Sequence, residues 1–271
     1  MTTRRTSLAW LGVTVMLAFP AMAFGPWMAT TSGLPTGHAT GAIFHTASNS
    51  TNWAGYAVSA SKGTVSFVNG SWIVPAIVGT CPRGSAYSSF WVGIDGFTSS
   101  TVEQTGTDSD CIHGSATYYA WYEFYPAASV RISSLTISAG DTIVASVTYS
   151  ASTAKFTTAI TDMTTGKSFS TSGTVSTAAR SSAEWIAEAP SSSRGILPLA
   201  NFGTVQFGFD STAVPSTCSA TIGTTTGLFG SFSGLNSINM VSTHGAKLKA
   251  STSAVSTDLS SFSVTWKSRG P

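Results

Sequence analysis

Charge is what this 271-residue chain has least of: 9% of its residues are Asp, Glu, Lys or Arg, against about a quarter in an ordinary soluble protein. With 13 Lys+Arg, 11 Asp+Glu and a formal net charge of +2, no basic surface can be assembled that would track phosphates, which argues against nucleic-acid binding by counterion release. The four histidines (His38, His45, His113, His244) are scattered and form no His-Glu-x-x-His, so a zinc site has no support. There is no Gly-x-Ser-x-Gly elbow and no phosphate-cradling glycine loop opening a helix, and no histidine sits where it would activate a serine or cysteine. Past the first 23 residues no apolar run is long enough to cross a bilayer. Helical periodicity is missing too, because Ser, Thr and Gly depress helix propensity almost everywhere. What the chain does have is 42% hydrophobic and 11% aromatic residues, enough for a sizeable core.

Arg4 and Arg5, an apolar stretch over residues 8–19 and Ala21-Met22-Ala23 predict a secretory signal peptide over residues 1–23. Removing its two arginines leaves 11 basic residues against the same 11 acids. Residues 24–50 carry no formal charge and are dotted with Gly, Pro and Thr; they read as a propeptide or linker. The folded domain is expected over residues 51–271, with regular pattern beginning at Asn52-Trp53-Ala54-Gly55-Tyr56. Three cysteines in an exported chain imply one bridge and one leftover thiol. Cys81 and Cys111 bracket a strand-like segment and the loop after it, which makes them the expected pair. Cys218, with no Lys, Arg or His beside it, is expected to be buried and inert.

Short β-branched and aromatic runs bounded by Gly, Pro or Ser recur along the domain, at residues 64–68, 71–74, 90–94, 118–125, 130–137, 142–149, 156–162, 183–187, 205–209, 238–241 and 262–266. Many short strands imply an all-β antiparallel sandwich or barrel. Strand faces alternate, so Tyr119, Trp121, Glu123 and Tyr125 share one face and Tyr118, Ala120, Tyr122 and Phe124 the other. The glutamates are Glu103, Glu123, Glu184 and Glu188. Glu184 and Glu188 fall on one strand face, about 13 Å apart at the usual rise. Asp95 follows Trp91-Val92-Gly93-Ile94 and Asp108 follows Glu103-Gln104-Thr105-Gly106, and strand-end or loop acids satisfied by local backbone N–H groups would explain them equally well.

Five blocks carry a resemblance: Asn52-Trp53-Ala54-Gly55, Trp91-Val92-Gly93-Ile94-Asp95-Gly96, Glu103-Gln104-Thr105-Gly106-Thr107-Asp108, Ala120-Trp121-Tyr122-Glu123 and Glu184-Trp185-Ile186-Ala187-Glu188. In order and separation they resemble the glutamic peptidases called eqolisins, family G1, from about residue 52 to residue 266. The resemblance implies an antiparallel β-sandwich of the concanavalin A-like or jelly-roll type, built from two seven-stranded sheets. It implies an acid-active endopeptidase whose catalytic dyad falls on Gln104 and on the second acid of Glu-Trp-Ile-x-Glu, Glu188. Trp91, Asp95, Asp108, Trp121 and Glu123 match positions that line or support the substrate cleft. The expected protein is thus a secreted monomer acting on polypeptides, with no cofactor, metal, nucleic acid or membrane attachment once its leader is gone.

The chemistry asked of such a dyad is simple. A carboxyl exchanges protons with water and with the departing amine. A carboxamide N–H hydrogen-bonds the developing oxyanion without titrating. Two other readings stay open. Glu184 and Glu188 have the spacing of a jelly-roll glycoside hydrolase pair, although Ile186 stands where that pattern carries an acid. A carbohydrate-binding sandwich would use Trp91, Tyr119 and Trp121 as a stacking platform.

Overall fold

The computed structural model describes residues 46–270. The expected signal peptide and the expected pro-segment up to residue 45 lie outside the described residues. Nineteen strands follow in order: β1 Thr46–Ser50, β2 Trp53–Ser59, β3 Val65–Ile73, β4 Ser89–Ile94, β5 Val102–Ile112, β6 Ser115–Tyr125, β7 Val130–Arg131, β8 Thr142–Ser150, β9 Lys155–Asp162, β10 Lys167–Gly173, β11 Ser182–Glu188, β12 Ser191–Ser192, β13 Gly195–Ile196, β14 Thr204–Phe207, β15 Ser219–Ile222, β16 Thr225–Leu228, β17 Leu235–Val241, β18 Leu248–Thr252 and β19 Phe262–Trp266. Among the described residues no helix is long and apolar enough to cross a membrane.

The pairings trace two layers. One runs β1–β17–β2–β11–β4–β5–β6–β7. The other runs β18–β19–β14–β3–β8–β9–β10, with the β15–β16 hairpin on the same side of β3 as β14. All these pairs are antiparallel except β1 on β17. The expected two seven-stranded sheets are corrected in their strand counts: eight strands make the first layer and nine the second, and the seventeen form one hydrogen-bonded network. The reason lies in β17, which pairs with β2 through Leu235–Ile238 and then with β18 through Met240 and Val241, between which the register shifts. Such an irregularity bends a strand from one layer into the next.

Between the layers sits the core, with Trp72, Trp185, Phe90, Phe156, Phe207 and Phe229 fully buried. Each such side chain contributes about 1.5–3 kcal/mol of burial. The two indoles do not strand a donor: Trp72 Nε1 donates to Thr107 Oγ1 at 2.9 Å and Trp185 Nε1 to the Asn69 carbonyl at 2.7 Å. On β11 the alternation sends Ala183, Trp185 and Ala187 into this core and leaves Glu184, Ile186 and Glu188 on the outer face. On β6 the same period buries Tyr118, Ala120, Tyr122 and Phe124 against the core and turns Tyr119, Trp121 and Glu123 outward.

Three elements differ from the sequence expectation. Residues 130–137 form only the two-residue β7, after which Ile132, Leu135 and Ile137 plug the core from a loop. The runs at 64–68 and 71–74 are one strand, β3, continuous through Asn69 and Gly70. Residues 46–50, placed by sequence in the propeptide or linker, form β1, whose Thr, Ser and Asn side chains give no apolar period and which adds to the edge of β17 through its backbone. The Cys81–Cys111 bridge is present, and Cys218 is a buried free thiol that burial pushes up to about 12.

Candidate active site

Register builds the outer face of the first layer. Ala57, Glu184, Gly93, Gln104 and Glu123 lie in one row across β2, β11, β4, β5 and β6. Two residues along, Gly55, Ile186, Trp91, Gly106, Trp121 and Arg131 form the next row. Two further on come Trp53, Glu188, Ser89, Asp108 and Tyr119. Because side chains repeat every second residue, all three rows share a face. The glycines in them are steric requirements. A Cβ on Gly93 would stand 2.9 Å from the Trp91 ring, and one on Gly106 would stand 2.2 Å from the Phe90 carbonyl oxygen, so Trp91 can lie flat along the sheet only because both are bare.

Over this face opens a cleft of about 940 Å³ whose lining includes Asn52, Gln104, Asp108, Trp121, Glu123 and Glu188. Glu188 is fixed from two sides: Trp91 Nε1 donates to its Oε2 at 2.8 Å and Asn52 Nδ2 to its Oε1 at 3.2 Å. The Trp53 ring meets Trp91 edge-on at 5.0 Å and closes the same corner. Burial raises Glu188 to about 7, against the pull of the indole and carboxamide donors, and the Glu123 charge adds to the rise. A carboxyl there is mostly protonated well below neutrality.

Gln104 donates through Nε2 to Glu123 Oε2 at 2.5 Å, while its Oε1 is buried with no partner. Burial raises Glu123. At the other end of β5, Asp108 accepts from Trp121 Nε1 at 2.6 Å and from the Tyr119 hydroxyl at 2.7 Å. That hydroxyl also lies 3.0 Å from Asp110 Oδ2, so one phenol bridges two acids. Burial raises Asp108 to about 6 and Asp110 to about 8, with the Asp108 charge adding to the second.

Of the residues singled out by sequence, Gln104, Glu188, Asp108, Trp121 and Glu123 come together on the cleft wall. Trp91 lies fully buried beneath it and reaches it through the bond to Glu188. Asp95 does not line the cleft. It sits buried just past β4 and accepts from the Arg180 and Ser181 backbone N–H groups at 2.5 and 2.8 Å, tying the β4 end to the segment that enters β11. Glu184, four residues before Glu188, is fully buried and outside the cleft lining. Burial raises it far above the ordinary range, with Asp95 and Glu103 adding. Asn52, Asp110 and Arg131 are cleft residues to which the sequence reading gave no role, and Tyr119, read there only as part of a sugar-stacking platform, lines the cleft beside them. Period-2 alternation from Asp108 would have found Asp110.

Fold and face together define a two-layer β-sandwich with a cleft in which a held carboxyl on β11 and a carboxamide on β5 stand either side of β4. The model of the peptidase A4 family matches residues 51–266, and the chain belongs to that family. It is 35% identical over 179 residues to aspergillopepsin-2 of Aspergillus niger, a match covering 58% of this chain and 62% of that protein's length. The solved structure of scytalido-glutamic peptidase with a transition-state analogue inhibitor superposes with a TM-score of 0.64 at 29% identity, over 80% of this chain and 98% of that one. SCP-B, a member of the eqolisin family of peptidases solved with the tripeptide Ala-Ile-His, superposes at 0.61 with 27% identity, over the same shares of the two chains. These findings agree with the resemblance carried by the five sequence blocks.

Proposed function

We propose that this protein is a secreted glutamic endopeptidase, acting as a monomer on polypeptides in acid, with Glu188 and Gln104 as its catalytic pair. The observation that carries the reading is Glu188, an acid on the cleft wall, gripped by an indole and a carboxamide and raised to about 7. In acid this carboxyl is protonated. Its O–H gives a proton to the scissile amide while its other oxygen takes one from the attacking water, so the group is restored as the C–N bond breaks. Gln104 supplies a neutral donor for the carbonyl oxygen, which gains charge as its carbon becomes tetrahedral, and its amide is presented by the bond to Glu123. Asp108, holding Trp121, and Asp95, holding the approach to β11, position the walls. The order of proton transfers therefore starts from the acid form, whereas a base-first role would find almost no ionised Glu188 at pH 4.

The glycosidase reading loses support from the burial of Glu184, which keeps the second carboxyl off the cleft surface. Incubating the purified protein with a denatured protein substrate and, separately, with a polysaccharide panel between pH 3 and 8 tests the proposal. Peptide products are expected, with kcat/KM falling as pH rises through about 7, where Glu188 loses its proton. Sugar release without peptide products would overturn it.

A further inference from the structure

Arg131 is the one basic side chain among the described residues that line the cleft. It stands on β7 in register with Trp121, exposed, with its guanidinium carbon 4.5 Å from the centre of the Tyr119 ring. A guanidinium stacked this way keeps its edge N–H groups free for a planar bidentate partner. Among the described residues no carboxylate lies within 4.0 Å to form an ion pair with it. The titratable groups that share the cleft wall with it are Tyr119, Glu123 and Tyr125 from β6, Asp108 and Asp110 from β5, Tyr87, and Glu188 across the cleft on β11. Burial raises each of these acids, Asp108 to about 6, Glu188 to about 7 and Asp110 to about 8. The guanidinium charge pulls Asp108 and Asp110 down, yet burial keeps both raised, and Arg131 remains the one fixed cation among the described residues of the cleft wall.

We propose that Arg131 is a specificity residue that docks an ionised Asp or Glu side chain of the substrate against the Tyr119 ring at the β7 wall of the cleft. The inference rests on the peptidase reading and adds to it the substrate feature selected. A substrate glutamate ionises above about 4.3, whereas Asp108, which the guanidinium pulls on, is held at about 6 by burial. The preference should accordingly open between those values.

The test uses a set of peptides that differ only by Glu or Gln at one position at a time around the cleaved bond, with kcat/KM measured at pH 3.0 and 5.0. At pH 5.0 the wild-type protein is expected to favour Glu by about five-fold at one position, and at pH 3.0 the ratio should fall to one. Arg131→Gln should bring the pH 5.0 ratio to one. Arg131→Lys, which keeps the charge and loses the fork, should retain part of it. Cleavage of both peptides with no Glu preference at any position, or a preference that survives Arg131→Gln, would overturn the inference while leaving the peptidase reading standing. Cleavage of none of the peptides by the folded wild-type protein would overturn both.

Discussion

Glu103 lies fully buried on β5, in the residue beside Gln104, and neither of its carboxyl oxygens has a hydrogen-bond partner. Burial, reinforced by the Asp95 charge, raises it from about 4.5 to about 9. Below 4.5 the folded and unfolded chains both carry the proton, and folding is not penalised. Above that value the unfolded chain releases its proton while the folded chain must keep it, so stability falls by about 1.4 kcal/mol per pH unit until about 9. Between pH 4.5 and 7 this single group removes on the order of 3 kcal/mol, a large fraction of the roughly 5–15 kcal/mol that holds a domain together. Glu184 acts in the same direction. Glu103→Gln keeps the shape and cannot titrate. Urea unfolding followed by tryptophan fluorescence at pH 4.5 and 7.0 should therefore show the gap between the two pH values narrowed by about 3 kcal/mol in the variant. The difference between pH values is the readout, so a general loss from burying a carboxamide does not obscure it. An unchanged gap would refute the argument that buried neutral carboxyls make this fold acid-favouring.

Other outcomes follow from the same geometry. Gln104→Ala should cost on the order of 3 kcal/mol of transition-state stabilisation, read as a roughly 100-fold loss in kcat with little change in KM. Removing the Cys81–Cys111 bridge, which spans 30 residues, should destabilise the fold by about 3 kcal/mol in the chain-entropy treatment, measured by denaturant unfolding of a Cys81→Ser/Cys111→Ser variant. Gly93→Ala should drive Trp91 off its bed and loosen its grip on Glu188, lowering activity at acid pH more than it lowers the unfolding midpoint.

The readable parts of this protein are those where local pattern and final environment agree. On β6 the alternation of Tyr119, Trp121 and Glu123 with Tyr118, Ala120, Tyr122 and Phe124 identified the cleft face, because one face of that strand meets the core. Glu188 and Gln104 stood out through motif blocks, whereas spacing alone could not say which of Glu184 and Glu188 reaches the cleft. Burial now separates them. Strand β5, which carries Gln104, was not legible as a strand: Glu-Gln-Thr-Gly-Thr-Asp-Ser-Asp has poor β propensity. It extends because β4 and β6 pair with it on either side. The buried loop after β7 misled in the opposite direction, since Ile132, Leu135 and Ile137 look like strand residues and serve as plugs. Arg131 carried no signal because a charge near a strand end reads as solvated until register shows what it faces.

The central claim is that Glu188 carries the proton of the reaction while Glu184, on the same strand, is a buried structural acid. Hydrolysis of a denatured protein at pH 4 by purified Glu188→Gln and Glu184→Gln, each first shown to be folded by its circular dichroism, tests it directly. Glu188→Gln should lose at least about a thousand-fold in kcat/KM, whereas Glu184→Gln should stay within about ten-fold of the wild-type protein. A Glu188→Gln variant that still turns over substrate would contradict the account.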